Sequence, residues 1–290
     1  MRITCPCCQT AGGHLPGDRR DEYQMYRCPT CSLEFADPMR TPPNDARIAS
    51  LYEGRTGLVG HYLGWYHDAF LASGVTPGWL LDLGCGTGDF VAAAARREFV
   101  AQGVDQDGIA IAAGRRHYHQ ITLHEANIEA FLRSDRQQYD VITFFEVLEH
   151  LENPAGFLAA VRERLRPGGT IGLSVPNNDS PLLAVYRRLT RVVDVPPHHL
   201  TRWNKQALRS LFAREGFEIV SVSVLPPTFS DLVQDTCWMR LRRLSLPTRL
   251  RIGAVVTRCV RPTDPLARAF IGEGRGMFIL ARQGAIRGEN

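Results

Sequence analysis

From Trp79 onward the chain alternates short apolar runs with stretches in which apolar residues recur every three or four positions. That alternation predicts strands joined by amphipathic helices, the pattern of a parallel α/β sheet. The strands fall at Trp79–Leu83, Val100–Val104, Ile121–His124, Tyr139–Phe144, Thr170–Val175, Glu218–Leu225 and Met277–Arg282. Helices are expected over Phe90–Glu98, Gly108–His117, Pro154–Leu165 and Lys205–Glu215, and Arg166-Pro-Gly-Gly169 turns the chain into the fifth strand. Before the sheet, Pro38 to Asn44 reads as a linker and Asp45 to Ser73 as a helical stretch carrying Tyr52, Tyr62, Trp65 and Tyr66. Two stretches exceed a minimal sheet: Ser180–Val195, and Thr228–Gly272 before the last strand. The second is expected to be a helical insertion split at Pro247.

The first 31 residues follow neither period. They hold five of the eight cysteines, in two C-x2-C knuckles: Cys5-Pro-Cys-Cys8 and Cys28-Pro-Thr-Cys31. Each knuckle chelates one ion from a tight turn, and two complete a tetrahedron. So short a segment has no room for a hydrophobic core, so bound metal must supply its folding energy. The expectation is a structural zinc on Cys5, Cys8, Cys28 and Cys31, within a zinc ribbon over residues 1–40. Cys7 either exchanges with Cys8 or is a bystander, and His14 reads as a loop residue.

Leu80 to Asp89 runs from a strand into a helix through Gly84, Gly86 and Gly88. A dinucleotide fingerprint would place its third glycine at position 89, which is Asp89 here. The loop suits a cofactor without a pyrophosphate, and Asp82 before it is placed to receive the ammonium of a methionine moiety. Gly103-Val-Asp105 ends the next strand about 20 residues later, where an acid grips ribose hydroxyls. Glu125-Ala-Asn127 ends the third strand, within reach of an adenine edge. The candidate cofactor contacts are Asp82, Gly84, Cys85, Gly86, Gly88, Asp105, Gln106, Asn127 and Phe145, and the cofactor expected from them is S-adenosylmethionine.

With these residues the chain resembles the class I S-adenosylmethionine-dependent methyltransferases over residues 45–290, in particular the ubiquinone-biosynthesis O-methyltransferase type. Leu81-Asp-Leu-Gly-Cys-Gly-Thr-Gly88, Gly103-Val-Asp-Gln106, Phe145-Glu-Val-Leu-Glu-His150, Leu165-Arg-Pro-Gly-Gly169 and Glu215-Gly-Phe217 stand where those enzymes have their motifs. Tyr26-Arg-Cys-Pro-Thr-Cys-Ser-Leu-Glu-Phe35 resembles the ribbon that precedes many bacterial small-molecule methyltransferases. The resemblance implies a Rossmann-like seven-stranded, mostly parallel sheet whose last strand is antiparallel, with helices on both faces. The expected division is a ribbon over 1–40 and a methyltransferase domain over 45–290, with 228–272 inserted as a lid.

Methyl transfer from a sulfonium aligns an acceptor lone pair with the methyl and removes a proton where that lone pair must be freed. Glu146, Glu149 and His150 lie just past the fourth strand, at spacings that share one face of a helical turn. His150 has the ordinary pKa of a base near neutrality, and Glu149 or Glu146 is placed to orient it. In the ubiquinone-type enzymes the matching Glu-x-x-Glu-His constellation is associated with a divalent metal, and a third alternative is that these side chains only cap the strand. Pro196-Pro-His-His-Leu-Thr-Arg-Trp203 precedes a helix, and its His199 is a candidate for the acceptor pocket. The catalytic candidates are therefore His150, Glu149, Glu146 and His199.

Composition narrows the partners. An apolar fraction of 44% and a net charge of +4 are ordinary globular values, and they argue against a dedicated nucleic-acid binder. The start lacks the apolar stretch of a secretory signal, and no apolar run approaches the roughly 20 residues of a membrane span. The expected compartment is the cytoplasm, where clustered thiols hold metal. Arg240 to Arg268 carries eight arginines against Asp264 alone, so a peripheral membrane contact or a lipid-linked substrate stays open beside a free small-molecule acceptor. Against an RNA methyltransferase, Thr143-Phe-Phe-Glu146 lacks the Asn/Asp-Pro-Pro-aromatic element that grips a nucleobase amine. Against a non-catalytic cofactor-binding protein, every cofactor motif is intact. The reading preferred is O- or C-methylation of a small molecule.

Overall fold

The computed structural model describes residues 3–42, 59–60, 63–190, 194–241 and 244–284. The chain opens with β1 (Leu15–Arg20), β2 (Tyr23–Arg27) and β3 (Glu34–Asp37), an antiparallel meander between and beyond the two knuckles. β1 is almost entirely exposed, so its residues have no core to form around; the knuckles and the neighbouring strand hold it.

The main sheet contains β4 (Trp79–Leu83), β5 (Val100–Asp105), β6 (Thr122–Glu125), β7 (Tyr139–Phe145), β8 (Leu165–Pro176), β10 (Phe217–Val224) and β11 (Gly276–Gln283). Its order is β10-β11-β8-β7-β4-β5-β6, with β11 antiparallel to both neighbours. This is the seven-stranded, mostly parallel sheet expected. β4 and β7 are nearly continuously buried because both of their faces are covered. Successive side chains enter opposite cores. Leu81, Ile142 and Phe144 face one with Leu158 and Leu211; Leu80, Val141 and Phe145 face the other with Phe70 and Phe90.

The helices are α1 (Trp65–Leu71), α2 (Asp89–Ala95), α3 (Gly108–His117), α4 (Ile128–Ser134), α5 (Pro154–Arg164), α6 (Pro181–Thr190) and α7 (Lys205–Arg214). Side-chain caps start four of them: Asp107, Asn127, Asn153 and Asn204 each accept backbone N–H bonds. The insertion follows β10 as α8 (Phe229–Arg240), α9 (Leu246–Val260) and α10 (Asp264–Phe270). Pro247 lies in the first turn of α9, where its missing amide is tolerated.

Three details differ from the sequence reading. β8 begins at Leu165, and Arg166–Gly169 is an irregularity inside it: pairing jumps from Tyr139↔Leu165 to Val141↔Thr170, with Gly168 left-handed. Of the aromatic stretch before the sheet, Trp65 and Tyr66 lie in α1, while Tyr52 and Tyr62 fall outside the described residues. A two-residue strand, β9 (Thr201–Arg202), was not expected. It pairs with β3, giving a second sheet in the order β1-β2-β3-β9.

Candidate active site and metal centre

The cofactor loop leaves β4 at the middle of the sheet. Its three glycines are left-handed, with Gly86 at φ 54 and Gly88 at φ 79. A Cβ at Gly88 would come within 2.8 Å of Leu123, so only glycine fits the turn into α2. A Cβ at Gly86 would meet nothing within 4 Å. The backbone there faces open space, the cradle a bound cofactor requires. Asp105 fixes the loop from the end of β5: its carboxylate accepts the Gly86 and Asp107 amides, each at 2.8 Å. Two of its lone-pair positions remain for ribose hydroxyls. Asp89 accepts Thr87 Oγ1, Tyr118 Oη and the Gly60 amide. The acid that breaks the dinucleotide pattern is thus a brace for the loop.

Asp82 is 2% exposed and accepts the Thr143 hydroxyl at 2.7 Å. Burial pushes its carboxyl up to about 8 against the Thr143 hydrogen bond, and the neighbouring Asp105 adds to the rise. A buried acid without a countercharge is what a cationic ligand would ionise, and S-adenosylmethionine carries both an ammonium and a sulfonium. Asn127 caps α4 through Ala130 N, which leaves its amide nitrogen for an adenine edge. Gln106 is exposed beside Asp105. Cys85 tucks against Gly103, where a Cβ would lie 2.6 Å from its sulfur. Phe145 packs among Tyr66, His67 and Phe90, so it supports the floor of the site. His67, missed in the sequence, stacks on Phe90 and is held neutral by burial, its pKa lowered to about 3.

The acceptor side follows β7 without a break. A Cβ at Gly84 would lie 2.6 Å from Val147 Cγ2, so the cofactor loop abuts the turn carrying the catalytic candidates. Glu146 is not on a helical face with the others. It is left-handed at φ 54 and is held by Ser174, which accepts its amide at 3.1 Å and donates its hydroxyl to Oε1 at 2.8 Å. Strain of this kind persists where the surroundings over-determine it. Leu148–His150 forms one 3-10 turn. Glu149 is 1% exposed, and among the described residues neither of its carboxylate oxygens has a hydrogen-bond partner. Burial, then the adjacent Glu146, keep its carboxyl well above the ordinary range. Glu149 therefore does not orient His150: His150 Nδ1 donates to the His198 carbonyl at 2.5 Å.

The carboxylate–imidazole pair is found one loop away. Asp194, buried and left-handed at φ 57, lies 3.0 Å from His199 Nδ1. Burial opposes its ionisation, but His199, Arg187 and Arg202 together hold its carboxyl below the usual range. An ionised Asp194 only accepts, so His199 carries its proton on Nδ1, as His150 does, and Nε2 is the basic atom of both rings. His199 Nε2 lies 4.0 Å from Glu149 Oε1. The rings of His150, His198 and His199 pack with centroids 4.4–4.7 Å apart. One ring nitrogen of each lies within 4.8 Å of the others. Among the described residues the groups gathered closely enough to hold an ion are this trio and the four knuckle cysteines. Glu146, Glu149 and His150 do not gather as one ligand set. His198, Asp194 and Ser174 carried no signal in the sequence beyond the paired histidines.

At the knuckles, Cys5 and Cys31 sulfurs lie 3.6 Å apart and those of Cys8 and Cys28 3.5 Å apart. A tetrahedron with zinc–sulfur bonds of about 2.3 Å has edges of about 3.8 Å, so the four thiolates fit zinc. Cys7 stands outside this group of four, and its sulfur contacts the Ala207 carbonyl at 3.3 Å.

The family model described as a methyltransferase domain matches residues 61–222, more than half of the chain. The chain belongs to that methyltransferase family. Ubiquinone biosynthesis O-methyltransferase of Acinetobacter baumannii is 31% identical over 122 residues, 40% of this chain and 51% of that protein. The namesake from Azoarcus sp. is 29% identical over 153 residues, 50% of this chain and 66% of that protein. The chain thus spans about half to two thirds of the length of the curated relatives it matches. A SAM-dependent methyltransferase from Archaeoglobus fulgidus shares the fold at a TM-score of 0.55 and 16% identity, over 82% of this chain and all of that one. Phosphoethanolamine N-methyltransferase 2 of Haemonchus contortus, in complex with S-adenosyl-L-methionine, does so at 0.56 and 14%, over 84% and 61%. No helix among the described residues is long and apolar enough to cross a membrane.

Proposed function

We propose that this protein transfers the methyl group of S-adenosylmethionine to an oxygen or carbon of a small-molecule acceptor. The observation that carries the reading is the junction of Gly84 with Val147, which sets the cofactor loop against the turn that carries Glu146, Glu149 and His150. Asp82 and the Asp105 carboxylate hold the two ends of the cofactor, and Asn127 meets its base. The acceptor sits over the sulfonium methyl, in line with the bond that breaks. Its proton passes to Nε2 of His150 or of His199, whose tautomers the His198 carbonyl and Asp194 fix. The name of the curated relatives supports an oxygen acceptor, free or lipid-linked. Zinc on Cys5, Cys8, Cys28 and Cys31 is structural, since four thiolates leave no open position.

The three clustered imidazoles favour a second reading, in which they hold a borderline divalent ion that binds the acceptor oxygen. A chelator that stops turnover while the knuckle zinc stays bound decides for it.

The test is incubation with isotopically methyl-labelled S-adenosylmethionine and cell extract, followed by mass spectrometry of the low-mass and macromolecular fractions. Label is expected in a low-mass product, absent with Asp82→Asn protein. Label confined to RNA or protein would overturn the reading.

A further inference from the structure

The ribbon is built into the acceptor site. β9, the two residues that follow Leu200, is the fourth strand of the ribbon sheet: Phe35 pairs with Thr201 and Glu34 with Arg202. The Ala36 amide donates to the Leu200 carbonyl at 2.8 Å. On its other side the same segment grips the catalytic turn, because the Leu200 amide donates to the Glu149 carbonyl at 2.9 Å. His198 and His199 therefore hang from a strand that the ribbon pairs on one side and the His150 turn on the other.

Side chains reinforce the backbone. Arg202 is 2% exposed, and its guanidinium spans the two halves. It donates to both oxygens of Asp18 at 2.9 and 3.1 Å and to Glu34 at 3.1 Å, all on the ribbon. Its Nε donates to the Asp194 carbonyl at 3.2 Å. Asp194 in turn fixes His199 from a left-handed backbone that its surroundings must enforce. The knuckles dock on α7 at the end of the same loop: Arg214 donates to the Cys7 carbonyl at 2.5 Å, and Gln206 to the Thr30 carbonyl at 3.0 Å.

We propose that the zinc ribbon is the positioning arm of the acceptor site, fixing the Asp194–His199 pair through β9 and the Arg202 guanidinium. Zinc then controls the acceptor half of the site and not the cofactor half, whose loop bonds to Val104 and Asp105 of β5 and to Asp89 of α2, none of them in the ribbon. Arg202, Asp18 and Glu34 are positioning residues. The fork geometry of Arg202 matters, since a lysine's donors all sit on one nitrogen, which cannot reach Asp18, Glu34 and the Asp194 carbonyl at once. The inference borrows from the proposed function only the location of the acceptor.

The experiment reads His199 directly. Histidine-labelled protein gives a proton–nitrogen correlation for the Nδ1–H bonded to Asp194, assigned by its loss in His199→Gln. Asp18→Asn combined with Glu34→Gln leaves every cysteine in place. It is expected to abolish that resonance while zinc content is retained and calorimetric S-adenosylmethionine affinity stays within about twofold. Asp18→Glu alone, which keeps the charge, is expected to retain the resonance. Stripping zinc with a chelator should reproduce the double variant. An unchanged His199 resonance in the double variant, or loss of S-adenosylmethionine binding together with it, would overturn the proposal. No arm uses methyl transfer, so failure of the enzymatic reading leaves this test standing, and the reverse also holds.

Discussion

Thr143 donates its hydroxyl to Asp82 across the centre of the sheet, at 2.7 Å. That single hydrogen bond does not offset the burial of the carboxyl, which stays protonated up to about pH 8. A folded-state pKa above the unfolded value of 3.8 means that the folded protein binds more protons than the unfolded chain between those limits. Without cofactor, stability therefore falls as pH rises through that window. A cationic cofactor bound at Asp82, as proposed, would reverse the balance by ionising it. S-adenosylmethionine affinity should rise with pH, by at most about tenfold per unit, and level off above about 8. Calorimetry in buffers of different ionisation enthalpy should show proton release on binding below that point. Asp82→Asn should flatten the profile; a profile unchanged in that variant removes Asp82 from the ammonium site. By the same assay Asp105→Ala, which loses ribose hydrogen bonds, should weaken binding by about 1.5–3 kcal/mol.

The histidines should behave differently from these acids. His150→Ala and His199→Gln are each expected to leave S-adenosylmethionine affinity intact, since neither touches the glycine loop. Whichever ring accepts the proton should lower turnover of the acceptor by about 10²–10⁴-fold on substitution. The measurement is single-turnover methyl transfer, which separates chemistry from product release. Full activity in both variants would show that the acceptor loses its proton elsewhere.

These two predictions divide at the line where the sequence stops being informative. The strands around Asp82 and Asp105 were legible because a doubly covered parallel sheet writes itself as apolar runs, and because the loop geometry admits only glycine at Gly88. The roles of Glu149 and His199 were not. Helical spacing suggested that Glu149 orients His150, but the left-handed Glu146 and the 3-10 turn break that face. The acid that does bond a histidine of the cluster, Asp194, sits in an irregular loop where no period places a side chain. β9 is two residues long, too short to carry a pattern, and its existence depends on a partner 166 positions earlier, at Phe35. β1 to β3 were equally silent, because β1 is almost entirely exposed and β2 and β3 bury only Tyr23, Met25, Phe35 and Ala36, too few positions to set a period.

Zinc stoichiometry checks the ribbon independently. Protein purified without added metal should contain roughly one zinc per chain by elemental analysis. Cys28→Ser combined with Cys31→Ser should remove it, whereas Cys7→Ser should retain it, because Cys7 is not one of the four sulfurs gathered closely enough to hold an ion. Zinc undiminished in the double variant would place the ion elsewhere, with the three histidines as the next candidate.

The insertion is the remaining test. α8 packs on α6 through Leu232 against Leu182, Leu183 and Tyr186, and Ser230 near its start is tied to Asp264 at the start of α10. α6 follows β8, and in the lid reading the insertion packed on it closes over the acceptor site and excludes water. Its ends lie together: β10 and β11 pair up to Val224↔Met277, and the Leu225 amide donates to the Gly276 carbonyl at 3.0 Å. A short turn can therefore replace residues 228–272 without disturbing the sheet. The lid reading predicts that this deletion abolishes methyl transfer to the true acceptor while S-adenosylmethionine still binds. The insertion also exposes Val255, Leu266 and Phe270 among its arginines, an arrangement that an anionic lipid surface would accept. As a lid it should show no salt-sensitive sedimentation with phosphatidylserine vesicles. Strong co-sedimentation at low salt, lost at high salt, would instead make the insertion a membrane contact and a lipid-linked acceptor the leading substrate.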